Sequence, residues 1–154
     1  MLAPACGPSR TEADFLAHLQ AVVATHPKAT RWHVVCDRLN THQSESLVRW
    51  IADLSGIHGD LGVKGESGIL ASMVSRAAFL SDPSHKVVFH YTPTHSSWLN
   101  QIEIWLSILV RKVLKRGSFA SVEALEAKVL AFIDYYNQTA KPFKWTYQGK
   151  PLTI

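Results

Sequence analysis

Cysteine is nearly absent: Cys6 and Cys36 are the only two in 154 residues. Two thiols build neither a disulfide framework nor a cysteine-rich zinc site, and the expectation is two reduced thiols with no bridge. Charge is also sparse, at 18% of residues against the usual quarter. No apolar run reaches the roughly 18 residues that a bilayer-spanning helix needs. Residues 1–10 lack the basic start and apolar stretch of a secretory signal. These absences argue for a cytoplasmic protein with no membrane partner. Internal repeats, low-complexity segments and a helix-turn-helix pattern are missing as well. What remains is 47% hydrophobic residues, enough for one core, in a chain long enough for one domain and too short to expect two.

The charge that is present is unevenly spread. Residues 1–97 carry eight Lys or Arg and eight Asp or Glu, whereas residues 98–154 carry eight basic and only four acidic residues, so the whole net charge of +4 lies there. A basic excess confined to one part of a chain suits a polyanionic partner, because cations that neutralise phosphates release counterions. A solvated basic helix end is the plainer explanation of the same pattern.

Element signals alternate between helix and strand. Thr11 caps a helix with Glu12 and Asp14 in its first turn and Phe15, Leu16, Leu19, Val22 and Val23 at helical spacing. Trp32 to Cys36 reads as a buried strand. Ser44 opens a second helix with Leu47, Trp50, Ile51 and Leu54 on one face, and Gly56 ends it. Four glycines within residues 59–68 mark a loop. A third helix is predicted over Ile69 to Leu80, with Ile69, Met73, Ala77 and Leu80 inward, and a second strand over Lys86 to Tyr91. The longest helix is predicted from Trp98 to Lys115, with Leu99, Ile102, Leu106, Leu109, Val110 and Val113 as its apolar face. Gly117 stops it, and Ser121 caps a last helix over Val122 to Asn137. The fold class is therefore α/β.

Two acids stand out. Asp37 follows the first strand at its C-terminal end, where α/β sheets present ligand groups, and Asn40, Thr41 and His42 lie close behind it. Glu103 sits among Leu99, Ile102, Leu106, Trp98 and Trp105, where a carboxylate is costly unless paired or metal-bound. An acid after a strand is also a common turn starter, and Glu103 just off the apolar stripe would be solvated. Carboxylates suit hard ions such as Mg²⁺ or Mn²⁺, which bind through one or two of them plus substrate phosphate oxygens. His42, His90 and His95 match no usual zinc spacing. His95 is placed to orient phosphate or a metal-bound water, and Trp98 or Trp145 to stack on a base, although most of the five tryptophans read as core or interface anchors.

The run from Thr92 to Trp105, TPTHSSWLNQIEIW, followed by Arg116-Gly117-Ser118-Phe119, resembles the signature of bacterial insertion-sequence transposases of the mariner-related, insertion sequence 630 type. Cys36-Asp37-Arg38-Leu39-Asn40-Thr41-His42 is similar to the second acidic motif of that DDE superfamily, with Arg38 where the family usually has Asn. Tyr135-Tyr136-Asn137 and residues 142–146, PFKWT, extend the likeness towards the C-terminus. The resemblance implies an RNase H-like catalytic domain acting on DNA phosphodiesters with Mg²⁺ or Mn²⁺. It makes Asp37 the second acid and Glu103 the third, both metal-binding and catalytic. Asn40, His42, His95, Lys112, Lys115 and Arg116 are the residues expected to meet DNA.

The family's first acid has no counterpart, because Glu12 and Asp14 are explained by helix capping. Residues 1–154 therefore read as a partial RNase H-like fold, the C-terminal portion of the catalytic domain with its first strands missing, and residues 55–83 as an insertion between the second and third acidic motifs. Two carboxylates hold two metal ions poorly, so the chain is expected to be inactive by itself. The partners to expect are DNA, an upstream fragment of the same transposase, and a second copy in a homo-oligomer. The alternative is a non-enzymatic DNA-binding or interaction remnant.

Overall fold

Helix caps and strand ends in this protein fall where side-chain chemistry dictates. The computed structural model describes residues 1–93 and 101–141. Helix α1, Glu12–Ala24, starts at a capping box in which the Thr11 hydroxyl accepts the Asp14 N–H and the Asp14 carboxylate accepts the Thr11 N–H at 2.6 Å. Strand β1, Trp32–Cys36, leads through a 3₁₀ turn, Asn40–Gln43, into α2, Glu45–Leu54, which Ser44 caps. Helix α3 spans Met73–Leu80, and strand β2 spans Val87–Tyr91. The strands pair in parallel, Trp32 with Val87 through Cys36 with Tyr91, so α2 and α3 form the crossover that parallel pairing requires. Helix α4, Gln101–Leu109, runs on as a π turn, Val110–Leu114, and α5, Val122–Thr139, follows its Ser121 cap. The result is a mixed α/β fold with, among the described residues, five α-helices and one two-stranded sheet, consistent with a partial RNase H-like domain.

Two hydrophobic clusters form. The first joins Leu19 of α1, Leu47, Val48 and Ile51 of α2, Leu70, Leu80 of α3, and Cys36, Val87 and Phe89 of the sheet. The second is the helix pair α4–α5, where Trp105, Leu109, Val113 and Ile133 are buried. The N-terminus reaches α5, where the Met1 amino group meets the Asn137 side-chain oxygen and Asn137 Nδ2 donates to the Met1 carbonyl at 2.9 Å.

Three sequence expectations need correction. Strand β1 is not buried on both faces: His33 is exposed and Val35 is 59% exposed, because only the side bearing Val34 and Cys36 meets the first core. The helix predicted over Ile69 to Leu80 breaks into a 3₁₀ turn, Gly68–Leu70, and α3, because Ser72 and Ser75 form a capping box that restarts the helix there. Met73 consequently turns outward while Arg76 goes in. On α4 the buried stripe is Trp105, Leu109 and Val113, and Ile102, Leu106 and Val110 are exposed. These positions recur four residues apart, and the π turn shifts the phase beyond what an ideal 3.6-residue period anticipates. Residues 98–100 of the predicted helix start lie outside the described residues.

Candidate nucleic-acid-processing site

The tip of β1 is fastened to itself by polar bonds. Asp37 leaves the strand half exposed, with its side chain 46% accessible. Its Oδ1 accepts the Leu39 N–H at 3.1 Å and lies 2.7 Å from His42 Nδ1. His42 Nδ1 is also 3.2 Å from the Asp37 carbonyl, so both neighbours are acceptors and this nitrogen must carry the proton. The His42 ring packs on Phe15 of α1 at 4.3 Å, and the His42 carbonyl accepts the Tyr91 hydroxyl at 2.9 Å. Gln43, buried, donates through Nε2 to the Arg38 carbonyl at 2.9 Å. Tyr91 of β2, Phe15 of α1 and the turn's own side chains thus hold residues 37–43 in place, the pre-organisation that a ligand-holding carboxylate needs.

Arg38, the departure from the family pattern, does not crowd the carboxylate. Its guanidinium stands over the Tyr91 ring, 5.5 Å from the centroid, in cation–π geometry. Burial pushes the Tyr91 hydroxyl well above its ordinary range, with the neighbouring Cys36 adding to the rise and Arg38 opposing it. Burial likewise pushes the Cys36 thiol up to about 12, and the negative charge of Asp37 adds to it. Cys36 is therefore a neutral core side chain at physiological pH and not a nucleophile.

Glu103 lies in the first turn of α4 and is exposed, so the solvated alternative describes its surroundings. Its backbone carbonyl accepts the Ser107 hydroxyl at 2.9 Å. Asp37 follows β1, whose inner side lines the first core, and Glu103 lies on α4 of the helix pair. Neither lines any of the five principal cavities, and among the described residues no three His, Cys, Asp or Glu side chains come together. His95 lies outside the described residues. Asn40 is exposed on the 3₁₀ turn beside His42.

The expected basic residues do converge. Arg111, Lys112, Lys115 and Arg116 surround a depression of about 680 Å³ at the π turn, and all four are exposed. Arg111 also donates through Nε to the Ser107 carbonyl at 3.2 Å, which fixes its stem along α4. On the adjoining face Lys112 and Lys128 flank a groove of about 590 Å³ with Phe132, Tyr135 and Tyr136. Cations interleaved with aromatic rings suit a nucleic-acid backbone and its bases.

A family model described as DDE superfamily endonuclease matches residues 3–126, which include both candidate acids and every element from α1 to the start of α5. The chain belongs to this DDE superfamily endonuclease family. DNA is the substrate the family implies. No curated protein and no solved structure matches the chain. Among the described residues of this DDE-family chain, no helix is long and apolar enough to cross a membrane.

Sequence reasoning missed two features of the family member. His33 Nδ1 and His90 Nε2 are 2.8 Å apart on the open face of the sheet, with their rings stacked. Nothing in the sequence links two residues 57 positions apart until the strand register is known. The other is Arg76, a charge buried on α3, for which the only signal was its place two turns into a helix whose start was misjudged.

Proposed function

We propose that this chain is part of a transposase catalytic domain of the mariner-related, insertion sequence 630 type, acting on DNA phosphodiesters. Asp37 and Glu103 are its metal-binding carboxylates. The observation that carries the reading is the turn after β1: a half-exposed carboxylate with only one oxygen committed, fixed by Leu39, His42 and Tyr91, within the span matched by the family. Carboxylate oxygen is the donor that Mg²⁺ or Mn²⁺ favours, so the free oxygen of Asp37 fits such an ion. An ion held there supplies Lewis acidity for in-line displacement at phosphorus.

Asn40 and His42 border the scissile region, and His95 belongs to the motif preceding Glu103. Lys112, Lys115 and Arg116 bind the DNA backbone through the basic depression. Residues 55–83 are an insertion between the second and third acidic motifs. Because two carboxylates hold two ions poorly, the chain by itself cuts no DNA and needs an upstream fragment of the same transposase, or a second copy, to complete the site. The basic depression also favours a second reading, a non-enzymatic DNA-binding remnant.

Duplex DNA binding measured with and without Mg²⁺ separates the two. In the transposase reading, Mg²⁺ changes the complex and Asp37→Asn or Glu103→Gln removes that change. Salt-dependent binding untouched by Mg²⁺ and by both substitutions supports the remnant instead. Robust Mg²⁺-dependent cleavage by the purified chain alone would refute the proposed inactivity.

A further inference from the structure

Arg76 is 8% exposed, yet no carboxylate pairs with it among the described residues. Its Nε donates to the Gln43 carbonyl at 2.7 Å and its Nη1 to the Leu70 carbonyl at 2.9 Å. Two neutral carbonyls orient the guanidinium but leave its charge uncompensated, a costly arrangement in a buried site. Nη2 has no protein partner among the described residues, and Arg76 lines a cavity of about 280 Å³.

Met73 is the one apolar residue among the other walls, and the rest are polar or charged. Asn40 and Thr41 come from the turn after Asp37, Ser44 from the N-terminus of α2, and Lys64 and Glu12 from the rim. The α2 terminus turns its N–H groups and the positive end of its dipole toward the same end of the helix as Ser44.

Lys64 is placed by a loop that glycine alone permits. Gly62 and Gly68 have φ of +88° and +63°, and a Cβ on Gly62 would stand 2.1 Å from the Ser67 carbonyl oxygen. The loop closes through Leu70 N–H to the Leu61 carbonyl at 3.1 Å and Gly65 N–H to the Leu70 carbonyl at 3.2 Å. The Leu70 carbonyl therefore serves both the Lys64 loop and Arg76. Lys64 Nζ is 3.8 Å from the Glu12 carboxylate, a loose pair that leaves the pocket with a net positive charge once Arg76 is counted.

We propose that this pocket binds a phosphate-class anion, with Arg76 as the buried anchor, Lys64 as the rim cation and Asn40, Thr41 and the α2 terminus as hydrogen-bonding groups. The anion is either a DNA backbone phosphate or free inorganic phosphate. Only the first source rests on the DNA-processing reading.

The test titrates the full chain with inorganic phosphate at constant ionic strength, against chloride, and follows the thermal midpoint. Arg76 truncation strips donors from two carbonyls and endangers the fold, so the diagnostic variants are Lys64→Ala and Glu12→Gln on the rim. Phosphate raises the midpoint of the native protein. Lys64→Ala weakens the apparent phosphate affinity by about three- to tenfold, and Glu12→Gln strengthens it by a similar factor. No phosphate effect beyond that of chloride, or identical affinity in all three proteins, overturns the proposal.

A second arm measures duplex DNA binding by the same variants. Parallel shifts in DNA affinity, with competition by phosphate, identify a backbone phosphate as the occupant. Phosphate binding with unchanged DNA affinity identifies free phosphate and still supports the pocket. Loss of the pocket effect while Lys112, Lys115 and Arg116 still govern DNA binding fails this inference alone. The reverse outcome fails the DNA-processing reading alone.

Discussion

The Asp37–His42 contact offers a quantitative check on whether the β1 tip is built to hold a charge. The His42 side chain is mostly buried, its partner is about half exposed, and the N···O distance is 2.7 Å. A hydrogen bond to a carboxylate so placed, partly screened by solvent, is expected to couple the two side chains by about 0.5–1 kcal/mol. Removing the ring in His42→Ala also forfeits its contact with Phe15, bringing the total cost to about 1–2 kcal/mol. A double-mutant cycle of Asp37→Ala and His42→Ala, read by urea denaturation at neutral pH, isolates the coupling from the packing loss. Repeating the cycle in Mg²⁺ extends the test to function. At an ion concentration tenfold above its dissociation constant, a protein that binds through Asp37 gains about 1.4 kcal/mol, and Asp37→Asn does not. A coupling below about 0.2 kcal/mol would refute the argument that His42 fixes the carboxylate. Equal Mg²⁺ stabilisation of the native and Asp37→Asn proteins would refute Asp37 as a ligand.

The two thiols should behave differently: Cys6 reacts with a thiol reagent in the folded protein, whereas Cys36 reacts only on unfolding, so native labelling of both contradicts the burial of Cys36. Since the folded thiol holds its proton more tightly than the unfolded one, stability from Cys36 is intact below about pH 8.5 and declines as pH rises towards 12. Denaturation at pH 8 to 10 should show this decline in the native protein and a shallower one in Cys36→Ala; identical slopes would refute it. For the basic depression, replacing Lys112, Lys115 and Arg116 together with Gln should weaken duplex DNA binding regardless of sequence. The same replacement should flatten the logarithmic salt dependence by about two to three units, and an unchanged salt slope would place the DNA elsewhere.

Elements governed by local chemistry were legible in the sequence. Thr11, Ser44 and Ser121 cap the helices assigned to them, because a side-chain oxygen satisfying a free N–H acts within three residues. The strand at Trp32–Cys36 was legible from its short β-branched run, which is also a local signal. One local signal lay hidden in a helical run: Ser72 and Ser75, only three residues apart, form the capping box that starts α3. Elsewhere legibility ended where a longer-range balance decided. The motif around Glu103 was recognisable, but its exposed position on the α4–α5 pair followed from packing and not from spelling.

The sequence by itself determined the helix caps, the two strands, the family motifs and the basic bias of the C-terminal part, all of which depend on residues near one another in the chain. Tertiary structure alone decided that β1 keeps an open face and that His33 stacks on His90. It also decided that Arg76 is drawn inside by the carbonyls of Gln43 and Leu70. Each of these depends on strand register or helix phase, quantities fixed only when distant segments compete to bury their apolar surface.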